Sequence, residues 1–144
     1  MHSAAFPWWP IPLVAAAWVI ACLGIGRMSG WAALAAEFRL EGDFEGQKWG
    51  WQSAAMRAMC RYGNCLTLGV NQRGLYMRVQ PILRIGHAPL LVPWEQIQCA
   101  SRKVMGIELV QLTLGREQQI PLLVRPATAE RLRTAAGGRW PGAV

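Results

Sequence analysis

The sequence predicts a transmembrane helix near the N-terminus and, behind it, a mainly-β domain: a curled antiparallel sheet or partly open barrel with one C-terminal helix. Three features carry this. The 21 residues from Phe6 to Gly26 bear no formal charge. Runs of alternating apolar and polar residues recur between Asn64 and Val124, separated by turn residues. The stretch from Pro126 to Ala136 starts with proline, lacks β-branched runs and stops at Gly137-Gly138. At 144 residues the chain has room for one ordinary domain and an appendage.

Thirteen of the sixteen residues from Ile11 to Gly26 are apolar and neither glycine nor proline. A helix needs about 20 such residues to cross a hydrocarbon core of about 30 Å, and lipid forces the backbone to satisfy its own hydrogen bonds there. Phe6-Pro7-Trp8-Trp9-Pro10 opens the span with aromatics suited to the headgroup layer and prolines in a first turn, where a missing N–H costs little. Trp31, just past the other end, is expected to complete an interfacial belt. Arg27 and Arg39 follow the span and no Lys or Arg precedes it, which favours an N-terminus outside and the domain on the cytoplasmic side of the inner membrane. A cleaved signal peptide competes, since Ala33-Leu34-Ala35 has small-x-small character; the missing basic n-region, the long apolar stretch and the intervening Arg27 argue against it.

The chain therefore divides into a tail and anchor over 1–30, a juxtamembrane amphipathic segment and linker over 31–48, the β-domain with its helix over 49–138, and a tail over 139–144. Trp31, Leu34, Ala35 and Phe38 recur at helical spacing, so that segment either lies along the membrane surface or packs on the domain. Leu66, Leu68 and Val70 alternate on one strand face, Asn71-Gln72-Arg73-Gly74 makes a turn, and Leu75, Met77 and Val79 face inward on the return strand, with Tyr76 and Arg78 outward. Leu90 to Val92, Gln96 to Arg102, Ile107 to Leu114 and Gln119 to Val124 are further strands, with Pro93-Trp94 bending the first of them. The segment Lys48 to Arg61 is ambiguous and can supply a first partner strand. In the C-terminal helix Ala129, Leu132 and Ala136 face the sheet.

Gly74-Leu75-Tyr76-Met77 and Leu83 through Ile97, with Val92-Pro93-Trp94 at the end of a strand, resemble uncharacterised bacterial single-pass membrane proteins and, more distantly, domains of the pleckstrin-homology (PH) and GRAM superfold. The resemblance spans roughly residues 64 to 136 and implies a PH-like barrel. The chain departs from that superfold after the first strand, where lipid-binding members place a dense basic cluster and here only Arg57 and Arg61 stand.

The net charge of +7 is uneven: from Lys48 onward thirteen Lys or Arg face four Asp or Glu. A basic domain tethered to a bilayer is drawn to anionic headgroups, by about 1 kcal/mol per nearby basic side chain; the alternative is a solvated rim. Arg57, Arg61, Arg102 and Lys103 are the candidate headgroup or partner contacts. No nucleic-acid reader motif accompanies the charge, so no nucleic acid is expected.

Catalytic constellations are scarce. Asp43 is the only aspartate, in the linker, and His87 is the only histidine of the domain, in a predicted turn where it is expected to be exposed. Cys60 and Cys65 lie too far apart for the usual paired zinc ligands, and no second pair exists. Gly24-Ile25-Gly26-Arg27-Met28-Ser29-Gly30 has the wrong glycine spacing for a dinucleotide loop. No catalytic, cofactor or metal residue is expected, and the chain reads as a membrane-anchored, non-enzymatic binding or scaffolding module. The alternative is an exported cell-envelope structural domain with a Cys60–Cys65 disulfide.

Overall fold

The computed structural model describes residues 7–57 and 60–141; Phe6, the first residue of the expected span, and the end of the tail past Pro141 lie outside them. Helix α1 (Pro10–Ser29) and the short α2 (Trp31–Phe38) precede β1 (Gln47–Met56), β2 (Cys60–Val70), β3 (Gly74–Val79), β4 (Leu90–Pro93), β5 (Ile97–Val104), β6 (Ile107–Leu114) and β7 (Ile120–Val124). Helix α3 (Pro126–Ala136) closes the order. The strands form one antiparallel sheet in the order β4-β3-β2-β1-β7-β6-β5, curled into a half-barrel.

Every strand pair inside each half is a hairpin neighbour, and only β1–β7 joins residues distant in sequence. The curl is made at β1. Its register against β2 shifts twice, between Trp49 and Gln52 and between Gln52 and Ala54, and Trp51 takes a positive φ of 55°. Bulges of this kind bend a strand and increase its twist, and β1 reaches β7 only at Ala55 and Met56. The ambiguous segment thus supplies the first strand and also, from Cys60 on, the start of the second.

Alternation decides the core. Leu66, Leu68 and Val70 pair with Val79, Met77 and Leu75, and all six are buried. Tyr76 does project from the opposite face but is not exposed: Phe44 of the linker lies flat on it, ring centroids 4.3 Å apart and planes 10° off parallel, which leaves Tyr76 only 4% accessible. Arg78 on the same outer face is half-buried. The stretch after Pro81, Ile82 to Ile85, apolar except for Arg84, forms no strand; Pro81–Leu83 is a 3-10 turn.

Helix α2 takes the second of its two expected places. Trp31, Leu34 and Phe38 join Leu68, Met77, Leu114 and Ile120 in one core. Trp31 is fully buried, so it is a core residue and not part of an interfacial belt; an aromatic next to an apolar span has the same sequence appearance in either role. The chain turns from α1 into α2 at Gly30, whose φ of 90° strains any other residue and where a Cβ would run into the end of the Ile120 side chain. Past α2, Arg39 bridges Leu90 and the Leu40 N–H donates to the Pro89 carbonyl, sealing the β4 edge. At the other side of the core α3 presents Ala129, Leu132 and Ala136, joined by Trp140.

Helix α1 behaves differently. Leu13, Val14, Ile20 and Met28 are all largely exposed, and only Cys22, Gly26 and Ser29 are buried, one stripe confined to its C-terminal half. A helix that is apolar all round and uncovered is unsuited to water; by length and composition α1 can cross a membrane.

Candidate functional site

The stripe on α1 docks on the domain and carries a polar seam with it. Gly26 sits so close to the loop between β3 and β4 that a Cβ there would lie 2.6 Å from the Gly86 carbonyl oxygen. One turn on, Ser29 meets Tyr62 of β2 and His87 of that loop. The Tyr62 hydroxyl is 2.9 Å from Ser29 Oγ and 2.9 Å from His87 Nε2, while His87 Nδ1 is 3.0 Å from the Ile85 carbonyl. A carbonyl only accepts, so Nδ1 carries the proton and Nε2 accepts the Tyr62 O–H. Ser29 Oγ in turn accepts the Trp31 N–H at 3.3 Å, and the Trp31 indole donates to the Ala88 carbonyl at 2.7 Å. The rings of Trp31, Tyr62 and His87 pack mutually at centroid distances of 5.3 to 5.8 Å.

His87 is therefore buried, 1% accessible, where a turn histidine was expected to be exposed. Burial pushes its pKa below 6.5, with the backbone carbonyls of Ile85 and Leu83 pulling the other way. Burial likewise pushes the Tyr62 hydroxyl up to about 12, against a lowering from Ser29. At neutral pH both groups are uncharged and hydrogen-bonded, an arrangement that fixes geometry. Both ring nitrogens are occupied, so His87 has none free to activate a cysteine. Burial also raises the thiols of Cys65 and Cys99, which works against thiolate formation.

The seam makes stability pH-dependent. With the folded pKa of His87 depressed, the unfolded chain binds more protons than the folded one once the pH falls below 6.5. The His87 contribution is thus complete above 6.5 and lost as pH falls through the folded pKa. Thermal midpoints measured from about pH 8 to about 5 are expected to fall on the acid side, and His87→Phe to remove that part of the slope; identical slopes in the two proteins would refute the assignment.

The basic candidates fall into two groups that the fold keeps apart. Arg57 follows β1 and its guanidinium donates to the Met28 carbonyl, 3.3 Å away, at the C-terminal end of α1, where a cation also meets the negative end of the helix dipole. Arg61 is exposed at the start of β2, in register with Ala55. Arg102 and Lys103 lie near the tip of the β5–β6 hairpin, Arg102 donating to Gln111. Val104 lies seven residue steps along β5 from Ile97, the end of β5 level with Leu114 and Ile120, which places the tip about 23 Å along the strands from the α1–α2 end.

A groove of about 500 Å³ opens beside the seam, lined among others by Ala35, Arg39, Arg84, His87 and Pro89. Its two arginines stand 45 positions apart in sequence and meet only because α2 packs across the loop that carries Arg84. Sequence spacing holds no signal for that pairing.

Cys60 and Cys65 both belong to β2. Both thiols are free in the structure, which therefore lacks the bond on which the exported alternative drew. Among the described residues no group of three or more His, Cys, Asp or Glu is placed to hold a metal ion.

No known protein family, no curated protein and no solved structure matches the chain.

Proposed function

We propose that this chain is a single-pass, membrane-anchored, non-enzymatic module whose PH-like β-domain is held against the bilayer to engage anionic lipid headgroups, the partner-protein reading standing second to it. The observation that carries the proposal is the docking of α1: its last turns are fixed to the same end of the half-barrel that bears Arg57, Arg61, Arg84 and the Arg39–Arg84 groove. A span leaving lipid at that end presents these cations at headgroup depth, where each contributes about 1 kcal/mol toward an anionic surface. The strand order with α3 across one side of the core supports the PH-like reading, and Arg27 with Arg39 favours the cytoplasmic side.

The test uses the full chain in nanodiscs of phosphatidylcholine alone or mixed with phosphatidylglycerol. Ligand binding to the folded state raises the melting temperature, so the mixed discs are expected to give the higher midpoint. High salt, or Arg39→Gln with Arg84→Gln, should remove the difference. Equal midpoints in both lipids would exclude headgroup binding. A reporter active only in the cytoplasm, fused after Val144, is expected to work; activity of a periplasm-only reporter would reverse the orientation.

A further inference from the structure

We infer that the β3–β4 loop, residues 80–89, is a second membrane-contacting element whose apex, Ile82 with Ile85, enters the acyl-chain edge of the leaflet from which α1 emerges. The inference rests on the reading of α1 as a span, and three observations carry it.

The first is length. α1 has 20 residues and so measures about 30 Å, enough for the hydrocarbon core only if all of it is in lipid. Its docked stripe begins at Cys22. The twelve residues from Pro10 to Ala21 rise about 18 Å, so α1 itself reaches the full core thickness when the part of the domain packed beside Cys22 to Ser29 sinks into the membrane with it.

The second is what that part consists of. The Trp18 indole, a full turn deeper than Cys22, donates to the Ile82 carbonyl at 2.9 Å, and a Cβ on Gly86 would sit 3.1 Å from Leu23 Cα. The loop thus climbs alongside α1 to the level of Trp18. Ile82 is 69% and Ile85 39% accessible, an apolar apex continuous with the uncovered surface of the helix. Arg84 between them has a stem long enough to return its charge to the headgroups.

The third is that most of the loop's carbonyls find donors within the protein, part of what irregular chain at membrane depth requires. Pro81 has no N–H to satisfy. The Gln80, Pro81 and Arg84 carbonyls accept from Leu83, Arg84 and His87 N–H groups. The Ile82, Ile85 and Ala88 carbonyls accept from Trp18, His87 and Trp31 side chains. Ordinary solvent-facing loops leave such carbonyls to water; here side chains of α1, α2 and the loop itself cover them.

The experiment places an environment-sensitive, thiol-linked fluorophore at Ile82→Cys, at Val14→Cys or at Ile107→Cys. The background is the full chain with its four native cysteines replaced, reconstituted in vesicles. The Val14 and Ile82 labels are expected to be blue-shifted, quenched by lipid-borne nitroxide and shielded severalfold from aqueous iodide; the Ile107 label, on the far hairpin, should be open to iodide. A shielded Val14 with an Ile82 label as open as Ile107 would overturn the inference and leave the span standing. Both labels open to iodide would overturn the span itself. Should replacing the cysteines disturb the fold, the unmodified chain carries the same test with diazirine acyl-chain lipids: cross-links mapped to residues 82–85 support the inference, and cross-links confined to α1 overturn it.

Discussion

Trp31→Ala is expected to cost about 3 to 5 kcal/mol of stability, the range for removing a fully buried large aromatic. The side chain is completely inaccessible, it packs on both Tyr62 and His87, and its indole satisfies the Ala88 carbonyl. The substitution therefore opens a cavity and orphans a part-buried acceptor together. Trp31→Phe keeps most of the apolar volume and should lose chiefly the hydrogen bond, about 1 kcal/mol net. Denaturant unfolding of the full chain in mild detergent, followed by a probe on the β-domain, checks both. A Trp31→Ala protein as stable as the parent would mean that α2 is not part of the core.

The second large effect concerns β3. Leu75 and Met77 are fully inaccessible and paired with Val70 and Leu68, so truncation of either to alanine is expected to cost about 2 to 5 kcal/mol. Small domains have only about 5 to 15 kcal/mol in total, so either change should lower the melting temperature by many degrees. Arg78 follows Met77 in sequence and stands on the opposite face, half-buried, with its Nε buried and unpartnered. Arg78→Ala removes a desolvated donor along with some packing, and its cost should stay below about 1 kcal/mol. Equal losses from Leu75→Ala and Arg78→Ala would mean that the strand is shifted by one residue, since a single-residue slip exchanges the two faces.

The contrast between those positions was already legible in the sequence, because strand periodicity is a local property. The same holds for β6, expected over Ile107 to Leu114, and for α3, bounded by Pro126 and Gly137; both lie where their periodicity and end signals put them. What could not be read were the effects of distant segments. Tyr76 faces outward as alternation requires, yet nothing local says that Phe44 will lie on it. Residues 60 and 61 stayed inside the ambiguous segment Lys48 to Arg61 because no glycine there marks where β1 gives way to β2. The Ser29–Tyr62–His87 seam joins three separate parts of the chain, and only one hint of it existed: Tyr62 shares its parity with Leu66, Leu68 and Val70, which marks it as inward-facing. Arg39 and Arg84 carried no comparable hint.

The two sheet edges are unequal, and the membrane anchoring proposed above would magnify the difference. The β4 edge is closed by Arg39 and Leu40, whereas β5 ends the strand order with no neighbour among the described residues. Molecules confined to a surface meet far more often than the same number dispersed in a volume, and their upright orientation brings like edges face to face. An unprotected strand under those conditions invites templated stacking of one copy on the next. Arg102 and Lys103 stand on β5, exposed and of like sign, so two copies approaching through this edge would bring four positive charges together. Their place in the molecule is accounted for by that repulsion whether or not they ever touch a ligand, and exchanging both for threonine would be felt first as self-association that grows with the density of chains in the membrane.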